Sequence, residues 1–358
     1  MLIAAIAAGI GVAVLYSAAN GNMQPWAAKQ IMRFAIALLP MIGAALIRIR
    51  YWFRISYWLY AVVLLLIIAV DIRGFAGMGA QRWIDLGFIQ LQPSELMTVA
   101  LTLALARYFH RFGNDDVIGL RHLIPPSLMI ILPAALVLKE PDLGTGMMLL
   151  IGGATLFFLA GVRWRIFFLL STVAAAMVPI IWRLLRDYQK ARIYTFLDPN
   201  SDPMGAGYHI LQSKIALGSG GLFGKGFLLG TQSYLDFLPE KQTDFIFTTL
   251  AEEFGFVGAL TLLGLYIVII IYGFSVMLRS RSNFGRLLAL GIITNFFLYV
   301  FINIAMVTGL IPVVGVPLPL ISYGGTAMLT VMLGFGLVMS VDVDRDVRLN
   351  RAGEPRPG

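Results

Sequence analysis

The sequence predicts an all-α polytopic membrane protein, and its composition and hydropathy both indicate that class. Of 358 residues, 59% are hydrophobic and only 13% are charged, and the mean hydropathy is +0.83. Soluble domains are about 45–50% apolar and about 25% charged, so a soluble fold could not bury this much apolar surface. The net charge of +8 therefore indicates basic cytoplasmic loops rather than nucleic-acid binding.

Ten segments are long and apolar enough to cross a bilayer as helices, for which about 20 mostly apolar residues are needed. They are residues 1–18, 28–47, 55–71, 94–109, 123–138, 142–161, 166–183, 245–277, 285–308 and 319–341. We interpret residues 1–358 as one integral membrane domain, whose apolar start is a first span rather than a cleavable signal peptide. No cysteine is present, which excludes a disulfide framework and a thiolate metal site.

Basic residues in the short connections predict the orientation, because cytoplasmic loops are rich in Lys and Arg. Arginines occupy alternate connections, at Arg48, Arg50, Arg54, Arg107, Arg111, Arg121, Arg163, Arg165, Arg279, Arg281, Arg286, Arg345, Arg348 and Arg351. Both termini are therefore predicted in the cytoplasm, with a cytoplasmic tail at 342–358. The opposite side carries a large extracytoplasmic loop, 184–244, between helices 7 and 8.

The 184–244 loop is itself rich in cations. These are Arg186, Lys190, Arg192, Lys214, Lys225 and Lys241. Long loops contribute little to the orientation rule, so these residues do not contradict it. They form either a solvated loop surface or part of a site for an anionic ligand.

The motif LPEKQTDFIF places Glu240 and Asp244 where this loop enters the eighth span. The helix dipole favours a carboxylate at a helix N-terminus, and Thr243 could cap the helix itself. The alternative is a functional carboxylate. The spacing of Asp244, Thr248 and Glu252 at i, i+4 and i+8 supports that alternative, because such residues share one side of a helix.

Glu252 and Glu253 fall within the predicted eighth span. Ionisable groups inside a membrane are costly and are by default functional or paired. The structural alternative is a buried contact with an arginine or with backbone donors of another helix. We treat both residues, together with Glu95 at the start of the fourth span, as structural or supporting.

Further polar residues gather on the predicted outer face. The candidates for binding a diphosphate or sugar are Lys214, Lys139, Arg82, Gln212, Glu240, Asp142 and Ser322. Lys139 and Asp142 flank a tight connection between the fifth and sixth spans, and Gln212 and Lys214 precede the glycines of residues 218–230. Such a glycine-rich loop directs backbone N–H groups at a phosphate or forms a close-packed turn.

Metal ligands are sparse in the sequence. The three histidines are scattered and cysteine is absent, so a dedicated transition-metal site is not expected. A divalent cation, Mg²⁺ or Mn²⁺, held jointly by a carboxylate and a substrate diphosphate stays open as an alternative. No other cofactor is indicated.

Several motifs, in this chain order, resemble those of the SEDS family, the shape, elongation, division and sporulation proteins. They are GAQRWIDLG, QPSEL, PDLGTG, DPMGAGYHILQSKIALGSGG, GTQ, LPEKQTDFIF, AEEFGF and PLPLISYGGT. The resemblance extends from Tyr16 to Thr326. It is greater to the branch of the family that serves cell elongation and rod shape than to the division branch.

The resemblance implies a peptidoglycan glycosyltransferase of the bacterial inner membrane, with its active site on the extracytoplasmic face. It would polymerise lipid II, a disaccharide-peptide on undecaprenyl diphosphate, into glycan strands. The family's essential aspartate falls on Asp244, the expected general base. Lys214, Lys139 and Arg82 would stabilise the departing diphosphate.

The resemblance also implies partners. These are a class B penicillin-binding protein that cross-links the new strand, other proteins of the elongation complex, and membrane lipids. No nucleic acid is expected.

Three residues depart from the family's pattern. Thr98 stands where a lysine usually follows Glu95 by one helical turn, so a salt bridge or phosphate contact there is absent or replaced. Glu140 stands at a usual glutamine, and Gln242 at a common histidine. Either the chemistry does not need a histidine as acid or base at position 242, or this protein differs from the family there.

Two other functions compete with the transferase. A transporter that flips the lipid-linked precursor could use Glu252 and Glu253, but its polar groups would lie near mid-membrane, often in inverted repeats. No convincing repeat relates the two halves, and the polar groups gather on the outer face. A scaffold of the elongation complex would not need Asp244 in a polar pocket.

Overall fold

The protein is represented by a computed structural model that describes most of the chain. The described residues are 1–73, 75–77, 80–85, 90–112, 119–140, 142–184, 187–198, 206–234, 240–351 and 353–354. Residues 235–239 of the predicted outer loop and 355–358 of the predicted tail lie outside this part of the chain. The described part is mainly helical, with thirteen helices and three short strands.

Ten of these helices coincide with the ten predicted spans. They are α1 Leu2–Ala18, α2 Ala27–Leu46, α3 Ile49–Arg73, α4 Pro93–His110, α5 Leu120–Lys139, α6 Leu143–Leu159, α7 Trp164–Leu184, α11 Ile246–Arg279, α12 Asn283–Val307 and α13 Gly325–Val343. The last one begins later than predicted, because residues 319–324 form turns. Leu320 has φ +67°, which a helix cannot include.

Six of the described helices are long and apolar enough to cross a membrane by themselves: α2, α3, α5, α11, α12 and α13. Shorter apolar helices are Leu2–Ala18, Leu143–Leu159 and Trp164–Pro179. The chain is thus a multi-pass membrane protein, as predicted.

Helix α12 lies near the centre of the bundle. In its most apolar stretch 72% of the residues are buried, compared with 28% for α3. It contacts α4, α6, α11 and α13, while α2 packs along α13 and α3 along α4. Apolar side chains from both halves of the chain therefore form two clusters, and α12 contributes its first part to one and its second part to the other.

The predicted outer loop contains regular structure. Between α7 and α11 the chain forms α8 Asp187–Leu197, α9 Ala206–Ser219 and the single turn α10 Thr231–Tyr234. The connection between α3 and α4 forms a three-stranded antiparallel sheet in the order β1-β2-β3, from β1 Phe75–Gly77, β2 Ala80–Asp85 and β3 Gln90–Leu91.

Helix α11 is broken at Gly255, whose φ of 65° and ψ of −163° are not helical. The glycine loop, residues 218–230, closes the break. Four backbone hydrogen bonds of 3.0–3.1 Å join them: Lys225 N to Glu252 O, Gly226 N to Glu253 O, Phe256 N to Gly221 O, and Val257 N to Leu222 O. The backbone carbonyl and N–H groups that a broken helix would leave unpaired therefore have hydrogen-bond partners in the loop. For the Lys225 and Gly226 amides, the structure favours the close-packed turn over the phosphate-binding loop.

The break also shortens the part of α11 that has to cross the bilayer. Residues 256–279 alone are about 36 Å long at ~1.5 Å per residue, which exceeds a hydrocarbon core of ~30 Å. The short half of the helix before Gly255 therefore extends beyond the length that crossing requires.

Candidate active site

Asp244 lies in a turn just before α11, at the end of the bundle where α6 and α13 begin. This end is called the Asp244 end below. The first helical residue is Ile246, and Phe245 occupies the N-cap position without a side-chain cap. The suggestion that Thr243 caps the helix is wrong, because its hydroxyl donates to the Glu240 carbonyl oxygen at 3.2 Å instead.

The backbone around Asp244 is held from two sides. The side-chain amide of Asn303, on α12, donates to the Asp244 carbonyl oxygen at 2.9 Å and to that of Val316 at 2.7 Å. The Ser322 hydroxyl donates to the Thr243 carbonyl oxygen at 2.6 Å and accepts from the Leu318 N–H at 2.7 Å. Ser322, predicted to bind substrate, is therefore occupied in fixing the turn.

The Asp244 carboxylate remains open. It is half-buried and makes no hydrogen bond with a residue in the described ranges. A Cβ atom on Gly315, whose φ is +77°, would lie 3.4 Å from Asp244 Oδ2, so a glycine there gives the carboxylate room. Burial, together with the negative charge of Glu240, raises the pKa of Asp244 to about 7, against the opposing charge of Arg192 and Arg82.

Two arginines flank this carboxylate. Arg82 Nε donates to the Glu140 carbonyl oxygen at 3.0 Å, and Arg192 Nη1 donates to the Val313 carbonyl oxygen at 3.0 Å. Both lower the pKa of Asp244 and so act on its charge. Arg82 was a sequence candidate, whereas Arg192 was only one of six loop cations that nothing in the sequence ranked.

Asp142, another sequence candidate, has both oxygens occupied within the fold. It is the N-cap of α6, where Oδ1 accepts from the Thr145 N–H at 3.1 Å. Its Oδ2 accepts from Gln92 Nε2 at 2.8 Å and from the Ser94 hydroxyl at 3.4 Å. The residue therefore orders the start of α6 beside the site.

Glu140, which stands where the family usually has glutamine, is a buried carboxyl at the end of α5. Only 5% of the residue is exposed, and Oε1 has no hydrogen-bond partner among the described residues. Burial, reinforced by Asp142 and Asp71, raises the pKa of Glu140 to about 8 despite Arg82 and Lys139. At neutral pH this side chain is mostly a neutral acid.

Three other candidates have no contact with the Asp244 carboxylate. Lys139 Nζ forms an ion pair with Asp71 Oδ2 at 2.5 Å, on the side of α3. Lys214 is exposed on α9 and lies over Gly309 at the end of α12, where a Cβ atom would be 2.7 Å from Nζ. Gln212 is half-buried on α9. None of the three is among the groups that shift the pKa of Asp244.

Each carboxylate of α11 is bonded within the fold through one oxygen, while its other oxygen is buried without a partner among the described residues. Glu252 Oε1 accepts from Lys225 Nζ at 2.7 Å and from the Thr231 hydroxyl and the Gln232 N–H, both at 3.1 Å. The Ser17 hydroxyl of α1 donates to Glu253 Oε1. Of the two partners that the sequence suggested, the structure shows a backbone donor of another helix, the Gln232 N–H of α10, and no arginine among the described residues. A lysine of the glycine loop and a serine complete the set.

Glu95 is buried in the first turn of α4. Its carbonyl oxygen accepts from the Thr98 hydroxyl at 2.7 Å, and Asn295 Nδ2 donates to the Thr98 carbonyl oxygen at 3.2 Å. The position where the family usually has lysine is therefore built into a neutral hydrogen-bond network between α4 and α12.

Metal binding by protein groups alone finds no support in the part of the chain that the structure describes. No three His, Asp or Glu side chains in the described ranges are grouped so that they could hold an ion.

The fold and this site together define a class. The protein is a multi-pass membrane protein that presents an unbonded, half-buried carboxylate at one end of its bundle, with its pKa near neutrality and two arginines acting on it by their charge.

The comparisons with known proteins identify the family. Residues 1–347 match the family model FtsW/RodA/SpoVE, described as cell cycle protein. The "Peptidoglycan glycosyltransferase MrdB" of Escherichia coli K12 is 45% identical over 354 residues, covering 96% of this chain and 93% of that protein. The chain therefore belongs to the FtsW/RodA/SpoVE family, which is the SEDS family that its motifs resemble.

Solved structures agree with this assignment. A chain from "Structural coordination of polymerization and crosslinking by a peptidoglycan synthase complex" superposes with a TM-score of 0.83 at 30% identity, covering 96% of each chain. The rod shape determining protein RodA of Thermus thermophilus gives a TM-score of 0.72 at 29% identity, covering 96% of this chain and 95% of that one.

Proposed function

We propose that Asp244 is the general base of a glycosyl transfer that lengthens glycan strands from lipid II. The coarser activity, peptidoglycan glycosyltransferase, follows from family membership and from the names that the relatives carry. The observation that carries the finer proposal is the open, half-buried carboxylate of Asp244. Of the other acidic side chains named at this end, Asp142 is bonded within the fold, Glu140 is buried as a neutral acid, and Glu240 is exposed.

The reaction balances at this site. The Asp244 carboxylate takes the proton of the acceptor sugar's 4-hydroxyl while that oxygen attacks C1 of the donor sugar with inversion. The bond from C1 to the diphosphate oxygen breaks, and undecaprenyl diphosphate leaves with the electron pair. A pKa near 7 suits a base that works near neutral pH.

Arg82 and Arg192 are suited to stabilise the departing diphosphate. Each donates a hydrogen bond to a main-chain carbonyl, and both exert their charge at Asp244. Preorganised cations placed where negative charge develops lower the barrier of such steps. We assign this role to Arg82 and Arg192 ahead of Lys214 and Lys139, which have no contact with the carboxylate.

We assign the Asp244 end to the extracytoplasmic face and both termini to the cytoplasm of a bacterium. The support is the arginine-rich connections at the opposite end of the bundle.

We also infer a partner protein for this chain. A class B penicillin-binding protein fits the solved synthase complex in which a similar chain occurs, whose title joins polymerisation to crosslinking.

The proposal includes a divalent cation only if the protein and the substrate bind it jointly, with the substrate diphosphate supplying most of the ligands. Removal of Mg²⁺ and Mn²⁺ with EDTA tests it. A loss of rate that either ion restores supports the shared site, whereas an unchanged rate excludes it.

The test of the proposal is lipid II polymerisation by the purified protein with its penicillin-binding partner. Asp244→Asn keeps the shape of the side chain but removes the base, and should lower the rate about 10²–10⁴-fold. The matched control is Glu240→Gln, an exposed carboxylate in the same turn, which should change the rate only a few-fold.

Three outcomes separate the competing functions. If folded Asp244→Asn loses polymerisation while Glu240→Gln keeps it, the result supports Asp244 as the general base. A wild-type rate in Asp244→Asn contradicts it and returns Asp244 to a structural role. If the wild type does not polymerise but moves lipid II across vesicles, the transporter is the better description.

A further inference from the structure

Arg33 is a charged residue that the proposed chemistry does not use. It is the seventh residue of α2, about 9 Å along the axis from the start of that helix. Its neighbours Ile31, Met32 and Ile36 are 47%, 53% and 40% exposed, so this part of α2 faces lipid. A charged side chain at this depth is costly and is by default functional or paired.

The guanidinium of Arg33 is stacked rather than paired. Its central carbon lies 3.9 Å from the centre of the Tyr323 ring. Its Nη1 atom is buried and has no hydrogen-bond partner in the described part of the chain, and no ion pair among the described residues includes it. Stacking holds the plane of the group but leaves its donors unsatisfied, which is costly in a buried position.

This stack is tied to the Asp244 turn. One turn earlier on α2, Gln30 Nε2 donates to the Ser322 carbonyl oxygen at 3.0 Å. The Tyr323 N–H donates to the Gln242 carbonyl oxygen at 2.8 Å, two residues before Asp244. Arg33 therefore stands between the lipid-facing side of α2 and the wall of the candidate active site.

We propose that Arg33, positioned by Tyr323, binds the phosphate of a lipid at the Asp244 end of the bundle. A guanidinium presents donors in a planar fork that matches phosphate oxygens. Arg33 is half-buried, and no described residue accepts a hydrogen bond from it, so the fork is not already occupied by the protein. Lipid head groups supply phosphate at this level of a bilayer, and basic pockets beside membrane helices bind them. The shared ligand chemistry is a lipid-borne phosphate.

Two sources carry that chemistry: a bilayer phospholipid, or a polyprenyl diphosphate that serves the active site. The second source rests on the proposed function. In that case Arg33 would hold the diphosphate of a substrate or product on the α2 side of Asp244, so that the prenyl tail stays in lipid.

The experiment is native mass spectrometry of the purified full-length protein titrated with three probes: undecaprenyl diphosphate, phosphatidylglycerol and undecaprenol, which lacks phosphate. Arg33→Gln should weaken binding of a phosphate-bearing probe about 10-fold, the usual effect of losing a charged hydrogen bond. Binding of undecaprenol should not change. Arg163→Gln, the same substitution on an exposed arginine at the opposite end, is the matched control and should bind like the wild type.

Each outcome decides. Equal weakening of both phosphate probes supports the site with the phospholipid as its source, and weakening of the diphosphate alone supports the polyprenyl source. Unchanged binding of both in folded Arg33→Gln overturns the proposal and leaves Arg33 as a stacking residue. If Arg33→Gln does not fold, Arg33→Lys keeps the charge without the planar fork, and about 3-fold weaker binding is expected.

The binding readout is independent of turnover. A wild type that binds through Arg33 but does not polymerise lipid II would contradict the proposed function alone. Polymerisation by a wild type whose lipid binding ignores Arg33 would contradict this inference alone.

Discussion

Two acidic regions lie only eight residues apart at the start of α11, and the fold uses them in opposite ways. At the Gly255 break, Glu252 accepts three hydrogen bonds and Glu253 accepts one from Ser17. At the turn before the helix, the Asp244 carboxylate accepts none from the described residues and stays half-buried. The two α11 carboxylates are therefore tied to the glycine loop and to α1, whereas the Asp244 carboxylate has no such tie among the described residues. Ionisable residues of one helix should therefore be judged by their partners rather than by their depth.

The largest effect is expected from a substitution at the Gly255 break in α11. Gly255→Ala should destabilise the protein by about 4 kcal/mol or more, because the new Cβ would lie 2.3 Å from Gly224 N and 2.6 Å from Leu222 O, and φ is +65°. Gly264→Ala, in the same helix with nothing within 4 Å, should be neutral or stabilising by up to about 1 kcal/mol. Apparent Tm in detergent measures both. Equal melting of the two variants would show that the break is not needed.

The second prediction removes the partner of the buried carboxylate. Lys225→Met leaves Glu252, which is 0% exposed, without its cation and should cost about 2–3 kcal/mol. Polymerisation per folded molecule should change little, the reverse of what Asp244→Asn should do. The control is Lys139→Met, whose exposed pair with Asp71 should contribute less than about 1 kcal/mol. A Lys225→Met protein that melts normally but fails to polymerise would place the ion pair in the chemistry.

The third prediction concerns Glu140, which is buried as a neutral acid. Its folded pKa of about 8 lies above the ordinary 4.5, so the folded state holds an extra proton and loses stability as pH rises from about 4.5 to 8. A pKa higher by about 3.5 would correspond to ~5 kcal/mol, at ~1.4 kcal/mol for each pKa unit. Because local relaxation and water reduce such costs, Glu140→Gln should be more stable than wild type by about 2 kcal/mol at pH 8.5, with little difference near pH 4.5. Thermal melts across that pH range measure it. A stability difference that does not depend on pH would contradict the buried neutral acid.

The smallest effect sharpens the account of Asp244. A base with a pKa of about 7 is active only when deprotonated, so the polymerisation rate should rise with pH through about 7. Glu240 raises that pKa by its negative charge. Glu240→Gln should therefore shift the profile to lower pH, by a few tenths of a unit, because Glu240 is exposed and its charge is screened. A shift to higher pH would contradict the arrangement.

Much of the fold could be predicted from the sequence, because length and apolarity alone identify a bilayer span. All ten predicted spans became helices, and Asp244 could be placed at a helix start from the change in hydropathy. The turn at 319–324 was missed because a run of apolar residues does not show the positive φ of Leu320.

The lateral arrangement of the site could not be predicted. Sequence places Lys214, Lys139, Arg82 and Arg192 at one end of the bundle but gives no distances across it. Only packing shows that Lys139 pairs with Asp71, that Lys214 lies over Gly309, and that Arg192 reaches Val313 and acts on Asp244. Arg33 gave no signal at all, since a single arginine early in a span resembles any residue that reaches for the interface.

The four backbone hydrogen bonds across the α11 break should also slow amide hydrogen exchange in the glycine loop. Amide hydrogens in loops usually exchange with solvent quickly, because local opening costs little free energy. The amides of Lys225 and Gly226 are bonded to the end of a membrane helix, and those of Phe256 and Val257 to the loop. In deuterated solvent these four amides should exchange together, and slowly, as one cooperative unit that includes part of a nominal loop.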